Sequence, residues 1–98
     1  MIHELLTVGR EHARTSRELA AVLNCTPRDV TRAIEQERRK GQPICAATGR
    51  NPGYFLAADA DELERYCGRL HKRAGEIYKT RRALINVLKQ LRDQREGA

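Results

Sequence analysis

Apolar positions recur at helical spacing in several stretches of the chain and crowd into short continuous runs between two of them. Ile2, Leu5 and Leu6, with Val8 close by, share one side of a helix, and Gly9 ends the stretch, which predicts a short first helix over 2–8. After the polar connector from Arg10 to Arg14, Thr15-Ser16-Arg17-Glu18 has the form of a capping box: the threonine hydroxyl accepts from a free backbone N–H while the glutamate reaches back. The helix it starts has Leu19, Ala20, Val22 and Leu23 as its apolar face, and Asn24, which tolerates a left-handed backbone, ends it. Thr26-Pro27-Arg28-Asp29 repeats the start signal almost at once, with proline at the first helical position, where its missing N–H costs nothing. Val30, Ala33 and Ile34 are the inner face of this third helix. Arg38, Arg39 and Lys40 suit the negative end of its dipole, and Gly41 terminates it.

The pattern then changes. Pro43 to Thr48 is short, apolar and partly β-branched, and Tyr54 to Ala57 is similar. Gly49-Arg50-Asn51-Pro52-Gly53 between them is a cluster of turn residues, so a β-hairpin follows the third helix. Asp59, with acidic residues just after it, opens a last helix some 30 or more residues long, on the order of 50 Å. Within it Leu63, Leu70, Ile77, Leu84 and Leu91 repeat every seven residues, and Leu88 broadens the stripe into a seam of coiled-coil type. Arg73, Thr80 and Arg81 interrupt the middle of that seam. The chain divides on this reading into a globular domain over 1–58 and a helical element over 59–98, with Leu63, Leu70, Ile77, Leu84, Leu88 and Leu91 as the candidate dimerisation residues. A helix that folds back over its own domain is the monomeric alternative.

Two helices joined by a tight turn, the second followed at once by a hairpin, is the element order of a winged helix-turn-helix, in which the later helix enters the major groove. The fold class expected is therefore mainly α with a small β-hairpin, a winged helix-turn-helix plus a long C-terminal helix. SRELAAVLNCTPRDVTRAIEQERRKGQPI and the ending GRNPGYFLA resemble the N-terminal winged-helix domains of the biotin-operon repressor type and, more loosely, short winged-helix proteins of bacteriophages and prophages. Such families carry Gly-Tyr-x-Leu in the second hairpin strand, matched by Gly53, Tyr54 and Leu56. Two positions depart: Asn24 stands where glycine is more usual, and Glu37 with Arg38 stands where the third helix commonly carries leucine, so packing there must differ.

Charge sharpens the functional expectation. The 19 Lys and Arg exceed 13 Asp and Glu, for a net charge of +6, and both halves share the excess. This favours an anionic partner without naming it. In a winged helix-turn-helix the outward residues near the start of the third helix, Thr26, Arg28, Thr31 and Arg32, with Glu35 and Arg39 further along, are the candidates for DNA. Arginine bonds both guanine acceptors, threonine donates to a base or phosphate, and glutamate accepts from cytosine. Arg50 and Asn51 at the hairpin turn suit a phosphate or the minor groove, and Ser16 and Arg17 suit a phosphate at a helix N-terminus. Each set has a plainer explanation as well: a solvated helix face, a polar turn, a helix cap. A basic stripe at Arg65, Lys72 and Lys79 reads most simply as solvated surface.

The expectation is a sequence-specific double-stranded DNA-binding protein, a homodimer, serving as a transcriptional regulator or as an accessory protein of a phage or mobile element. The alternatives are a winged-helix module that docks a protein, and RNA binding. No glycine-rich phosphate loop, catalytic triad pattern or recognisable carboxylate pair points to an enzyme, and no cofactor or small-molecule ligand is implied. Cys25, Cys45 and Cys67 form no CxxC pair and His3, His12 and His71 have no ligand spacing, so no metal is expected and the cysteines read as buried or half-buried thiols. The absence of a secretory signal and of an apolar span points to the cytoplasm and away from membranes.

Overall fold

The computed structural model describes residues 1–97. It is mainly helical, with one two-stranded antiparallel hairpin and a long C-terminal helix. A first 3-10 turn spans Ile2–Leu5 and a second Arg10–His12; then come α1 (Ser16–Leu23), α2 (Pro27–Arg39), β1 (Ile44–Ala47), β2 (Gly53–Leu56) and α3 (Ala60–Gly97). The chain forms two units, one from Met1 to Tyr66 and one from Cys67 onward, so the opening turns of α3 belong to the first.

The helix boundaries follow their caps. Thr15 Oγ1 accepts from the Glu18 N–H at 3.1 Å while Glu18 Oε1 accepts from the Thr15 N–H at 3.2 Å. Thr26 and Asp29 repeat the arrangement at α2, with Pro27 in the first turn. Asn24 closes α1 in the left-handed region, at φ 53° and ψ 50°, and lets the chain turn directly into α2. Asp59 Oδ1 accepts from the Glu62 N–H at the start of α3. At the far end of α2, Gly41 has a positive φ of 101°, which reverses the chain toward β1.

The hairpin pairs Ile44 with Leu56, Cys45 with Phe55, Ala46 with Tyr54 and Ala47 with Gly53. Alternation along the strands sends Ile44 into a cluster with Ile2, Leu6, Leu19, Ala20, Val30 and Ile34, against which Tyr54 and Leu56 pack. Cys45 and Phe55 join a second cluster with Tyr66, flanked by Leu63. The hairpin is thus a shared wall: α1, α2 and the N-terminal turn cover one side, and the first turns of α3 cover the other. Each fully buried Leu, Ile or Val here stabilises the fold by about 1.5 to 3 kcal/mol.

Two segments depart from the sequence pattern. The expected helix over 2–8 is only a 3-10 turn to Leu5; Leu6 is already extended, and Val8 bridges Leu56 on the outer edge of β2. Leu56 donates to Thr7 O and accepts from the Gly9 N–H, both at 2.9 Å, and Arg14 and Tyr54 exchange backbone bonds at 3.0 and 2.7 Å. An isolated helix of seven residues is unstable in water, so pairing with an open strand edge takes the segment instead. In α1 only Leu19 and Ala20 are buried, whereas Val22 and Leu23 face solvent. Val22 falls outside the inward stripe of this short helix, and Leu23, one turn after Leu19 and on the same side, is the last helical residue and is only partly covered.

Candidate nucleic-acid interface

α2 is built with two unlike halves. Val30, Ile34 and Glu37 are its buried residues, on one side; Arg28, Thr31, Arg32, Glu35 and Arg39 fall on the other and are exposed, as is Thr26 at the cap. The hydroxyls are already engaged: Thr26 Oγ1 caps the helix, and Thr31 Oγ1 donates to Pro27 O at 3.1 Å. Glu35 accepts ion pairs from Arg38 at 3.5 Å and Arg39 at 3.9 Å, both within the helix. Arg28 and Arg32 make no hydrogen bond or ion pair among the described residues, although Arg32 helps to hold the Asp29 carboxyl below its usual range. The larger causes there are the bonds Asp29 makes with the Thr26 N–H and hydroxyl. Of the six candidates on or beside α2, Arg28 and Arg32 are therefore the two with neither a hydrogen bond nor an ion pair among the described residues.

The C-terminal half of α2 is fastened by two residues that sequence reasoning did not place. Glu37 is buried at 4% exposure. Its Oε2 accepts from the Ile2 N–H at 3.0 Å, and its Oε1 accepts from the His3 N–H at 2.8 Å and from His3 Nδ1 at 2.6 Å. Burial pushes this carboxyl up, but the His3 peptide and ring, the Ile2 peptide and the histidine's charge together outweigh that, and the net shift is downward. Arg38, unlike the exposed Arg39 and Lys40 beside it, is half-buried. Its guanidinium turns inward, donating to Ile44 O at 2.8 Å and to the Tyr66 hydroxyl at 2.9 Å, with the ring centres of Tyr54 and Tyr66 at 5.8 and 5.1 Å. One side chain thus joins α2, β1, β2 and the start of α3.

At the hairpin turn Arg50 and Asn51 are exposed, and Asn51 has a positive φ of 52°. Beneath the turn lies Arg10, whose guanidinium donates to Thr48 O at 2.9 Å and Arg50 O at 3.0 Å. Arg14 is exposed beside β2. Both belong to the stretch read from the sequence as a plain connector; Arg10 adds positive charge next to Arg50, and Arg14 adds it beside β2. Their only signal was that the connector is basic. Ser16 is half-buried and Arg17 exposed in the first turn of α1.

Other candidates resolve simply. Leu63 is half-buried against the second cluster, so it is occupied within the first unit, while Leu70, Ile77, Leu84, Leu88 and Leu91 are exposed. Arg65, Lys72 and Lys79 are exposed, and Lys79 pairs with Glu76 at 3.3 Å. Cys45 is buried, but Cys25 and Cys67 are exposed, against the expectation for all three. Cys25 sits in the α1–α2 turn, where nothing covers it, and Cys67 begins the part of α3 outside the first unit's core. Among the described residues there is no group of His, Cys, Asp or Glu able to hold a metal ion, and no helix long and apolar enough to cross a membrane.

No protein-family model, curated protein or solved structure matches the chain.

Proposed function

We propose that this chain is a winged helix-turn-helix protein that binds double-stranded DNA sequence-specifically and without enzymatic activity. It would act as a transcriptional regulator or as an accessory protein of a phage or mobile element. α2 lies in the major groove, with Arg28 and Arg32 bonded to base edges, and the β1–β2 turn carries Arg50 against the backbone or into the minor groove. The observation that carries this reading is the division of α2: it is anchored through Val30, Ile34, Glu37 and Arg38, while Arg28 and Arg32 stand exposed with their donors unused. A rigidly held helix with unpaired arginines on its outer side suits direct reading of guanine.

Selection from a randomised duplex pool at low ionic strength tests the proposal. The expected result is an enriched motif whose affinity falls by about 1 to 3 kcal/mol, with relaxed preference, in Arg28→Ala and in Arg32→Ala, whereas Arg50→Ala weakens all sequences alike. A pool in which no duplex is retained would reject DNA as the ligand and turn the search to protein or RNA partners.

A further inference from the structure

Beyond Tyr66, α3 carries an apolar stripe with no cover. Leu70, Ile77, Leu84 and Leu91 are 39, 61, 64 and 57% exposed at intervals of seven residues, and Leu88 beside them is 43% exposed. A lone helix in water draws little stability from its own hydrogen bonds, and Gly68 and Gly75 weaken this one further, by up to about 1 kcal/mol each relative to alanine. An ordered helix with such a stripe needs a second surface.

We infer that the second surface is the same stripe of another copy of this chain, aligned parallel and in register. The charges that flank the stripe favour this arrangement. With Leu70, Ile77, Leu84 and Leu91 as the central layers, Glu76 flanks the seam on one side and Arg81 on the other, five residues further on. In a parallel in-register pair each such position meets the one five residues later across the seam, so Glu76 meets the partner's Arg81, and the reverse contact follows by symmetry. At the neighbouring flanking steps Arg69 pairs with alanine, Ala83 with leucine and Gln90 with arginine, so like charges meet only within the seam, where Arg73 faces the partner's Arg73. An antiparallel pair with Ile77 opposite Leu84 would bring the two Arg81 side chains together at the symmetry axis.

The interruptions of the seam are compatible with this pairing. Thr80 Oγ1 donates to Glu76 O at 3.2 Å, so its hydroxyl is satisfied within the helix and its methyl is left for the seam. Arg73, which faces the partner's Arg73 in this register, has a long apolar stem that covers the seam while its head reaches water, where solvent screens the two charges from each other. The pair that Glu76 makes with Lys79 at 3.3 Å is solvent-exposed and weak enough to exchange.

Sedimentation equilibrium on the full chain tests the pairing. A particle of twice 11.2 kDa is expected. Glu76→Arg should raise the dimer dissociation constant on the order of tenfold, and adding Arg81→Glu to it should restore the affinity. Leu84→Cys, placed in a Cys25→Ser, Cys67→Ser background, should form an intermolecular disulfide on oxidation, because equivalent residues face each other only in the parallel register. A monomer at high micromolar concentration would overturn the second copy as the occupant. A dimer indifferent to the charge swap and uncrosslinked at residue 84 would overturn the parallel register. Neither result depends on DNA binding, so this inference and the proposed function fail separately.

Discussion

Glu37 keeps its charge among apolar neighbours because two peptide N–H groups and an imidazole N–H converge on it. The carboxylate takes the place of a backbone partner for the first turn of the chain, and its removal leaves buried donors unsatisfied. Glu37→Ala should therefore destabilise the fold by about 2 to 3 kcal/mol in urea unfolding. The same bonds hold its folded-state pKa below the ordinary glutamate value of 4.5. Its contribution is complete above that value and disappears as pH falls through the lowered one. The urea midpoint should drop as pH is taken from about 5 to about 3, and Glu37→Gln should flatten part of that drop. An unchanged slope in the variant would remove Glu37 from the acid response. Sequence reading flagged this position as one where leucine is common and packing must differ, but not the solution, since the partners lie more than 30 residues away. The inward contacts of Arg38 were not legible for a related reason: a basic residue at a helix end matches the dipole whether it faces water or two tyrosines.

The elements set by local chemistry were the legible ones. The two capping boxes, the left-handed Asn24, the proline at the start of α2 and the glycine-rich turn each act over a few residues, and each lies where its pattern put it. What could not be read was pairing at a distance. Thr7 to Arg14 lines the outer edge of β2, and nothing in those residues alternates like a strand. The element that makes room for it is Gly53, at φ 127°, where an added Cβ would come within 2.4 Å of the Arg14 carbonyl. Backbone on both sides leaves no flexible group to yield. Gly53→Ala should cost roughly 2 kcal/mol or more by displacing the edge segment from β2. Hydrogen exchange checks this: the amides of Tyr54, Leu56 and Arg14 should lose protection in the variant, and retained protection would show that the edge absorbs the methyl.

For the molecule as a whole, the basic excess matters more than any one arginine. If about six phosphates are neutralised per bound chain, affinity should fall with a log–log slope near −5 between about 50 and 200 mM salt. A near-zero slope would point instead to an apolar partner. The separation of labour within α2 also has a practical side. Residues 28, 31, 32 and 35 bear none of the long-range bonds that attach the helix, which gather at 37 and 38. Those four positions form a cassette that can be randomised in a library while the scaffold stays folded, so under the proposed function the target is changed by rewriting one side of one helix.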